Sequence, residues 1–269
     1  MTKSKWFLAG RAMAGVALLS TFFAAHAVPL PATGPDTFGY TGGPIANNLR
    51  NVDQTGNIIN QDGVGLLSDD STTIRNIGFG FNFYGTVYDQ VAISSNGFLT
   101  FSTGDLDSGC CTGDVIPSVG SPNNLIAGLW EDLDPGSSPG EGTVADETRG
   151  AAGSREYIVG FYGVPHFPQQ NLVTFEMILH ESSNDIELQY GIVSGSDLGD
   201  HTVGIENATG LDGLQVYRDS QANINFDNEG YCFNHPETGG DCTASVPEPA
   251  SLLLLGLGLA GLGFARRMR

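Results

Sequence analysis

The sequence predicts an all-β protein, an antiparallel β-sandwich or jelly-roll-like domain, flanked by an N-terminal signal helix and a C-terminal transmembrane helix. Three observations predict it. Glycine is abundant, 38 of 269 residues, and favours turns over helices. From about Ile74 the chain breaks into short β-rich segments separated by Gly, Asn, Asp and Pro, with no helical period of useful length. Apolar runs of about 14 residues lie near the two termini, over 12–25 and 252–265.

At the N-terminus, Lys3, Lys5 and Arg11 precede the apolar run from Ala12 to Ala25, which closes on Ala25-His26-Ala27. A basic segment, an apolar core and a small-x-small site in that order describe a signal peptide over 1–27, read by the Sec export machinery and cleaved after Ala27. Residues 28–73 form a glycine-rich segment in which an edge strand or two and a long loop are expected.

The sandwich is expected over 74–244. Ile77 to Phe83 alternates bulky and small residues, which puts Phe79, Phe81 and Phe83 on one strand face. Val87 to Ser94 and Phe98 to Phe101 flank the pair Asn96-Gly97, a strong short hairpin signal. Leu125 to Trp130 reads as a buried strand, and Glu156 to Val164 as another. Leu172 to His180 and Asp185 to Gln189 make a hairpin, and Thr202 to Glu206 with Leu214 to Tyr217 close the set. Eight or nine short strands without a helix make two packed sheets the natural solution.

Between the ends, five arginines and no lysine face 29 acidic residues, a net charge of −24 against −19 for the whole chain. Such a surface repels nucleic acid and anionic lipid, so no nucleic-acid partner is expected. It suits solubility outside the cell, or divalent cations. The four cysteines, Cys110, Cys111, Cys232 and Cys242, are an even set in an exported chain and favour disulfides. Four cysteines allow three pairings; the turn-rich loop that Cys232 and Cys242 bracket favours a bridge between them, with the neighbours Cys110 and Cys111 as the other pair. A zinc site using His235 with the thiols is the alternative, though no C-x-x-C spacing supports it.

At the C-terminus, Pro247, Glu248 and Pro249 are followed by the apolar run Leu252 to Ala265 and then by Arg266, Arg267 and Arg269. The run alone is shorter than the ~20 residues of a comfortable span, but 249–265 can cross a thin bilayer with the arginines held on the cytoplasmic side. The three parts over 245–269 resemble the PEP-CTERM sorting signal. The resemblance implies an exosortase that recognises the tail and cleaves near the motif. The protein is then transiently anchored in the inner membrane before reaching the cell surface or extracellular matrix. An ordinary C-terminal anchor is the alternative. Gly256, Gly258 and Gly261 match a dinucleotide fingerprint by letter, yet they follow no strand and sit among leucines, so no Rossmann site is expected.

A second resemblance runs through 74–217: Ile77 to Gly85, Ser94 to Phe101, Leu129 to Pro135, Val164 to Phe167, Ser183 to Gly191 and Val203 to Gly210 in order. The series resembles a β-rich module common in PEP-CTERM proteins and is distantly similar to the extracellular domain of nidogen. That implies adhesion, binding or structural work on extracellular polysaccharide or other surface proteins, without catalysis. Letter matches to catalytic motifs point the same way. His180-Glu181 with Asn184 lacks the second histidine of a zincin, and 136–140 has the letters of a nucleophile elbow inside a Pro/Gly-rich loop. A hydrolase is therefore the third-ranked reading. The runner-up is a calcium-dependent carbohydrate-binding module. Its candidate ligands are Asp105, Asp107, Glu131, Asp132 and Asp134, carboxylates in loops that can supply the six to eight oxygens calcium takes. No cofactor other than calcium is suggested. Trp130 and the Phe79, Phe81, Phe83 face serve either as a sugar platform or as core.

Overall fold

The protein is described here by a computed structural model covering residues 30–60, 68–104, 106–107, 109–136, 142–168, 171–193, 201–218 and 227–238. The expected signal peptide with Ala25 and Ala27, and the tail with Pro247, Glu248, Pro249, Arg266, Arg267 and Arg269, lie outside the described residues, as do Cys242 and Asp105. Among the described residues no helix is long and apolar enough to cross a membrane.

Among the described residues thirteen strands follow one another: β1 (Thr41–Ile45), β2 (Asn57–Ile58), β3 (Thr72–Phe83), β4 (Thr86–Ser94), β5 (Phe98–Thr100), β6 (Leu125–Trp130), β7 (Thr143–Arg149), β8 (Glu156–Pro165), β9 (Leu172–His180), β10 (Ile186–Tyr190), β11 (Thr202–Glu206), β12 (Gly213–Arg218) and β13 (Gly230–Asn234). One turn of 3-10 helix, Val52–Gln54, is the only helical element among the described residues. The strands form a seven-stranded sheet ordered β1-β13-β10-β9-β8-β7-β2 and a six-stranded sheet ordered β12-β11-β6-β5-β4-β3. Every pairing is antiparallel. The all-β, two-sheet reading of the sequence holds.

The inward faces of both sheets share one hydrophobic core. In β3 the alternation performs as its sequence suggests: Ile77, Phe79, Phe81 and Phe83 are buried while Gly78 and Gly80 face out. Phe81 stacks on Phe101, and Arg155 lies over the Phe79 ring. These aromatics are core, not a platform. Trp130 is buried too, 4% exposed, in a smaller cluster with Phe98, Ile116, Leu125 and Ala127 on the other face of the six-stranded sheet.

Along one side, side chains of the seven-stranded sheet bind the edge strand β3. Arg75 forks onto Asp146 at 2.9 and 2.7 Å, Thr148 Oγ1 donates to the Ile77 carbonyl, Arg155 donates to the Gly78 carbonyl, and the Asn82 N–H donates to Asn184 Oδ1. An edge that would otherwise offer free backbone groups is thereby partly occupied.

Two strands were not visible in the sequence. β7 (Thr143–Arg149) carries Asp146, Glu147 and Arg149, and the burial of Asp146 is possible because Arg75 neutralises it. β13 (Gly230–Asn234) is short and lies between β1 and β10, buried from Gly230 through Phe233. Residues 30–60 supply both edges of the seven-stranded sheet, β1 and β2, and place Tyr40 in the core.

Candidate functional site

The acidic run after β6 is shaped by a bulge. Gly128 and Leu129 both donate their N–H to the Gly97 carbonyl, at 3.1 Å each, and the register with β11 shifts there. Beyond it the side chains alternate. Leu129 and Leu133 enter the main core, whereas Trp130 joins the outer cluster. Glu131 therefore points inward with the leucines, while Asp132 and Asp134 belong to the opposite side. The segment is pinned by Asn96, whose carbonyl accepts from the Glu131 N–H and whose Oδ1 accepts from the Leu133 N–H. The Asn96 Nδ2 donates to Asp70 Oδ1 at 2.9 Å. One fully buried amide thus ties the acidic run to the Asp69-Asp70 pair that precedes β3.

Asp69, Asp70 and Asp132 offer carboxylate oxygens that all lie within 4.8 Å of one another. Burial, reinforced by the charges of Asp70, Asp69 and Asp134, pushes the Asp132 carboxyl up to about 6. Asp69 is raised for the same reasons, burial first and then Asp134 and Asp70. Mutual repulsion of this kind is what a cation relieves. Beside the cluster Phe167, 51% exposed, donates its backbone N–H to the Asp132 carbonyl.

Of the carboxylates singled out by sequence, Asp132 enters this cluster. Asp134 flanks it, accepting from the Gly136 N–H through Oδ1. Asp107 turns back to accept from the Gly109 N–H. Glu131 faces the interior, where Oε1 pairs with His166 Nδ1 and Oε2 lies 3.8 Å from His201 Nδ1. Burial, with the charge of His166 adding to it, pushes His201 down to about 4, and its ring stacks on Tyr217 at 4.6 Å. Asp69, Asp70, His166 and His201 were not assigned to a site by sequence. The adjacent acids before β3 were the available signal, while the histidines are brought to Glu131 by strand pairing that no local motif records.

A second polar cluster lies on the outer face of the seven-stranded sheet. Arg50 binds Glu187 through both terminal nitrogens at 2.7 and 2.9 Å and reaches Glu156 at 3.0 Å. His180 Nε2 lies 2.9 Å from Glu187. Glu156, His180 and Glu187 have the spacing of a ligand group, but the guanidinium already occupies the position a cation would take. His180-Glu181 sits at the β9–β10 turn, where Glu181 pairs with Arg155 and Asn184 adopts a left-handed φ of 58°. That is turn chemistry.

The sulfurs of Cys110 and Cys111 are in contact, both residues are exposed, and their Sγ atoms lie within 4.8 Å of an Asp70 oxygen. His235 stands apart from them, its ring edge-on to Tyr40 at 5.3 Å and its backbone N–H on Asp185. It joins none of the ligand groups found among the described residues.

No curated protein and no solved structure matches the chain. Residues 245–269 match the PEP-CTERM protein-sorting motif, which implies processing by an exosortase and points to an exported, cell-surface or extracellular protein. Residues 47–240, nearly the whole of the described sandwich, match a second family, and the chain belongs to it: NIDO related.

Proposed function

We propose that this chain is a non-enzymatic component of the cell surface or extracellular matrix, delivered by Sec export and exosortase processing and acting by adhesion, binding or structural support. The observation that carries the reading is the pairing, in one chain, of a NIDO-related domain with a PEP-CTERM motif directly after it. The acidic, lysine-free domain fits a soluble role outside the cell. The Cys110–Cys111 contact and a Cys232–Cys242 bridge are read as disulfides suited to that compartment. Incubating the exported protein with surface polysaccharide and envelope fractions of an exosortase-bearing host tests the reading. Retention on either fraction supports it. Hydrolysis of the polysaccharide, or recovery of the protein only from the cytoplasm, overturns it.

A second reading is favoured by the convergence of Asp69, Asp70 and Asp132. It is a calcium-dependent carbohydrate-binding surface in which the cation is held by these carboxylates and the exposed Phe167 ring offers a face for sugar. Polysaccharide capture that disappears in chelator and returns with added calcium supports it. Capture indifferent to chelator overturns it and leaves the metal-free reading.

A further inference from the structure

We infer that Cys110 and Cys111 form a redox-controlled metal site: oxidised they are closed to metal, and once reduced their two thiolates, with Asp70, take up one soft divalent cation such as Zn2+ or Cd2+. The observations are positional. Both cysteines and Asp70 are exposed, and their ligand atoms fall within one coordination sphere's reach of each other. The cysteine loop is held independently of the sulfur contact. Trp130 Nε1 donates to the Gly109 carbonyl at 2.8 Å, Asp107 caps the Gly109 N–H, and Thr202 Oγ1 donates to the Asp114 carbonyl at 2.8 Å. Asp70 is fixed separately by Asn96 at 2.9 Å. Reduction therefore leaves both segments anchored, while the two sulfurs part to the spacing of separate ligands beside Asp70.

The chemistry balances with a dithiol reductant. Its thiolate attacks one cysteine sulfur to give a mixed disulfide. Its second thiol then displaces that sulfur, so the reductant closes to a cyclic disulfide while Cys110 and Cys111 receive two electrons and two protons. A cation that binds the two sulfurs takes them as thiolates and displaces their protons to solvent. Thiolate ligands select soft or borderline metals over calcium. The site is thus chemically distinct from the oxygen cluster of Asp69 and Asp132, although Asp70 borders both.

The test uses the full-length chain with Cd2+ alone as probe, read by the ultraviolet thiolate-to-cadmium band. To isolate this pair, a background carrying both Cys232→Ser and Cys242→Ser is compared oxidised and after reduction with a phosphine that is removed before the metal is added. The expected result is one Cd2+ per chain on the reduced protein and no band on the oxidised one. The band should vanish in Cys111→Ser and remain in Asp69→Asn. Binding should weaken about tenfold in Asp70→Asn, equivalent to 1.4 kcal/mol. The comparison of redox states needs no variant at the site, so it stands even where Cys111→Ser fails to fold. Equal cadmium binding in both states overturns the proposal, as does an unaltered band in Cys111→Ser. Full affinity in Asp70→Asn overturns the assignment of the third ligand. None of these outcomes bears on whether the protein binds calcium or polysaccharide.

Discussion

At Gly97 the chain turns with φ +79°, and a β-carbon there would strike the Leu129 carbonyl. The same residue's carbonyl receives the two N–H groups of the β6 bulge, so the backbone has no room to retreat. Gly97→Ala should lose roughly 2–4 kcal/mol by combining left-handed strain with this clash. Chemical denaturation checks it, and a loss below about 1 kcal/mol would show that the turn relaxes. The turn itself was legible from the Asn96-Gly97 pair, because turn chemistry is local. The second task of Asn96, bridging Leu133 and Asp70, was not legible, because it depends on segments 26 and 37 residues away. Asp132 shows the same division. Its place after a core strand was readable, while its neighbours Asp69 and Asp70 were not. Its folded-state pKa, about 6, lies above the ordinary carboxylate value of about 3.9. As pH rises through that interval the unfolded chain gives up its proton first, so the folded state loses stability, and the loss is complete once the pH exceeds about 6. Asp132→Asn in chelator should therefore raise the melting temperature near neutral pH, by roughly 2 °C for this largely solvent-screened group. The gain should vanish below about pH 4. A gain that persists in acid would assign the effect to something other than charge.

At the scale of elements, the segment that crosses the outer face of the seven-stranded sheet before β2 is held mainly by polar contacts. The Arg50 and Asn51 N–H groups donate to the Glu176 carboxylate at 2.7 Å each, and the Val52 N–H donates to Tyr162 Oη at 2.8 Å. Val52 alone plugs an apolar site, against Ala145, Ile158 and Ile178. Arg50 is the charge that makes the arrangement tolerable. Burial pushes Glu187 upward, but hydrogen bonds from His180 and Arg50 outweigh it and hold the group below its usual value. Glu156 is likewise lowered, against burial, chiefly by Arg50. Their contribution is present above the ordinary glutamate pKa and is lost as pH falls through the depressed folded value. Arg50→Ala removes the bidentate partner of the buried Glu187 and leaves it only His180 and Gln189, at a cost of about 3 kcal/mol near neutral pH. That deficit should shrink on acidification, because the stranded carboxylates then protonate more readily in the folded state. Denaturation of both proteins across the acid range checks it; a pH-independent deficit would mean that lost packing dominates. None of this was readable in advance. A strand such as β3 announces itself by alternation. β7 carries no such local signal because Asp146 is neutralised by a residue 71 positions away, and the Arg50 segment carries none because its partners are scattered over four strands.

At the scale of the molecule, the ion pairs of Arg50, Arg75, Arg149 and Arg155 among the described residues offset only a small part of the domain's acidic excess. Such a domain has no electrostatic attraction to an anionic membrane. On the proposed sorting route, membrane association comes from the PEP-CTERM motif at 245–269 rather than from the domain. Three consequences follow in an exosortase-bearing host. The released protein should lack Arg266, Arg267 and Arg269, because cleavage near Pro247, Glu248 and Pro249 leaves the apolar run and its arginines in the membrane. Replacing Glu248 and both flanking prolines by alanine should block that cut, so the domain accumulates in the membrane fraction with its tail intact. Deleting 245–269 should send the folded domain past the membrane stage altogether. Mass spectrometry of the C-terminal peptide in the membrane and extracellular fractions separates these outcomes. Terminal arginines on the extracellular wild-type protein would show that release proceeds without the cut, and the tail would then be an anchor. The same measurement in a strain without exosortase fixes the cause. Retention there alone ties release to the enzyme, since the domain's own surface charge gives it no other reason to remain at the bilayer.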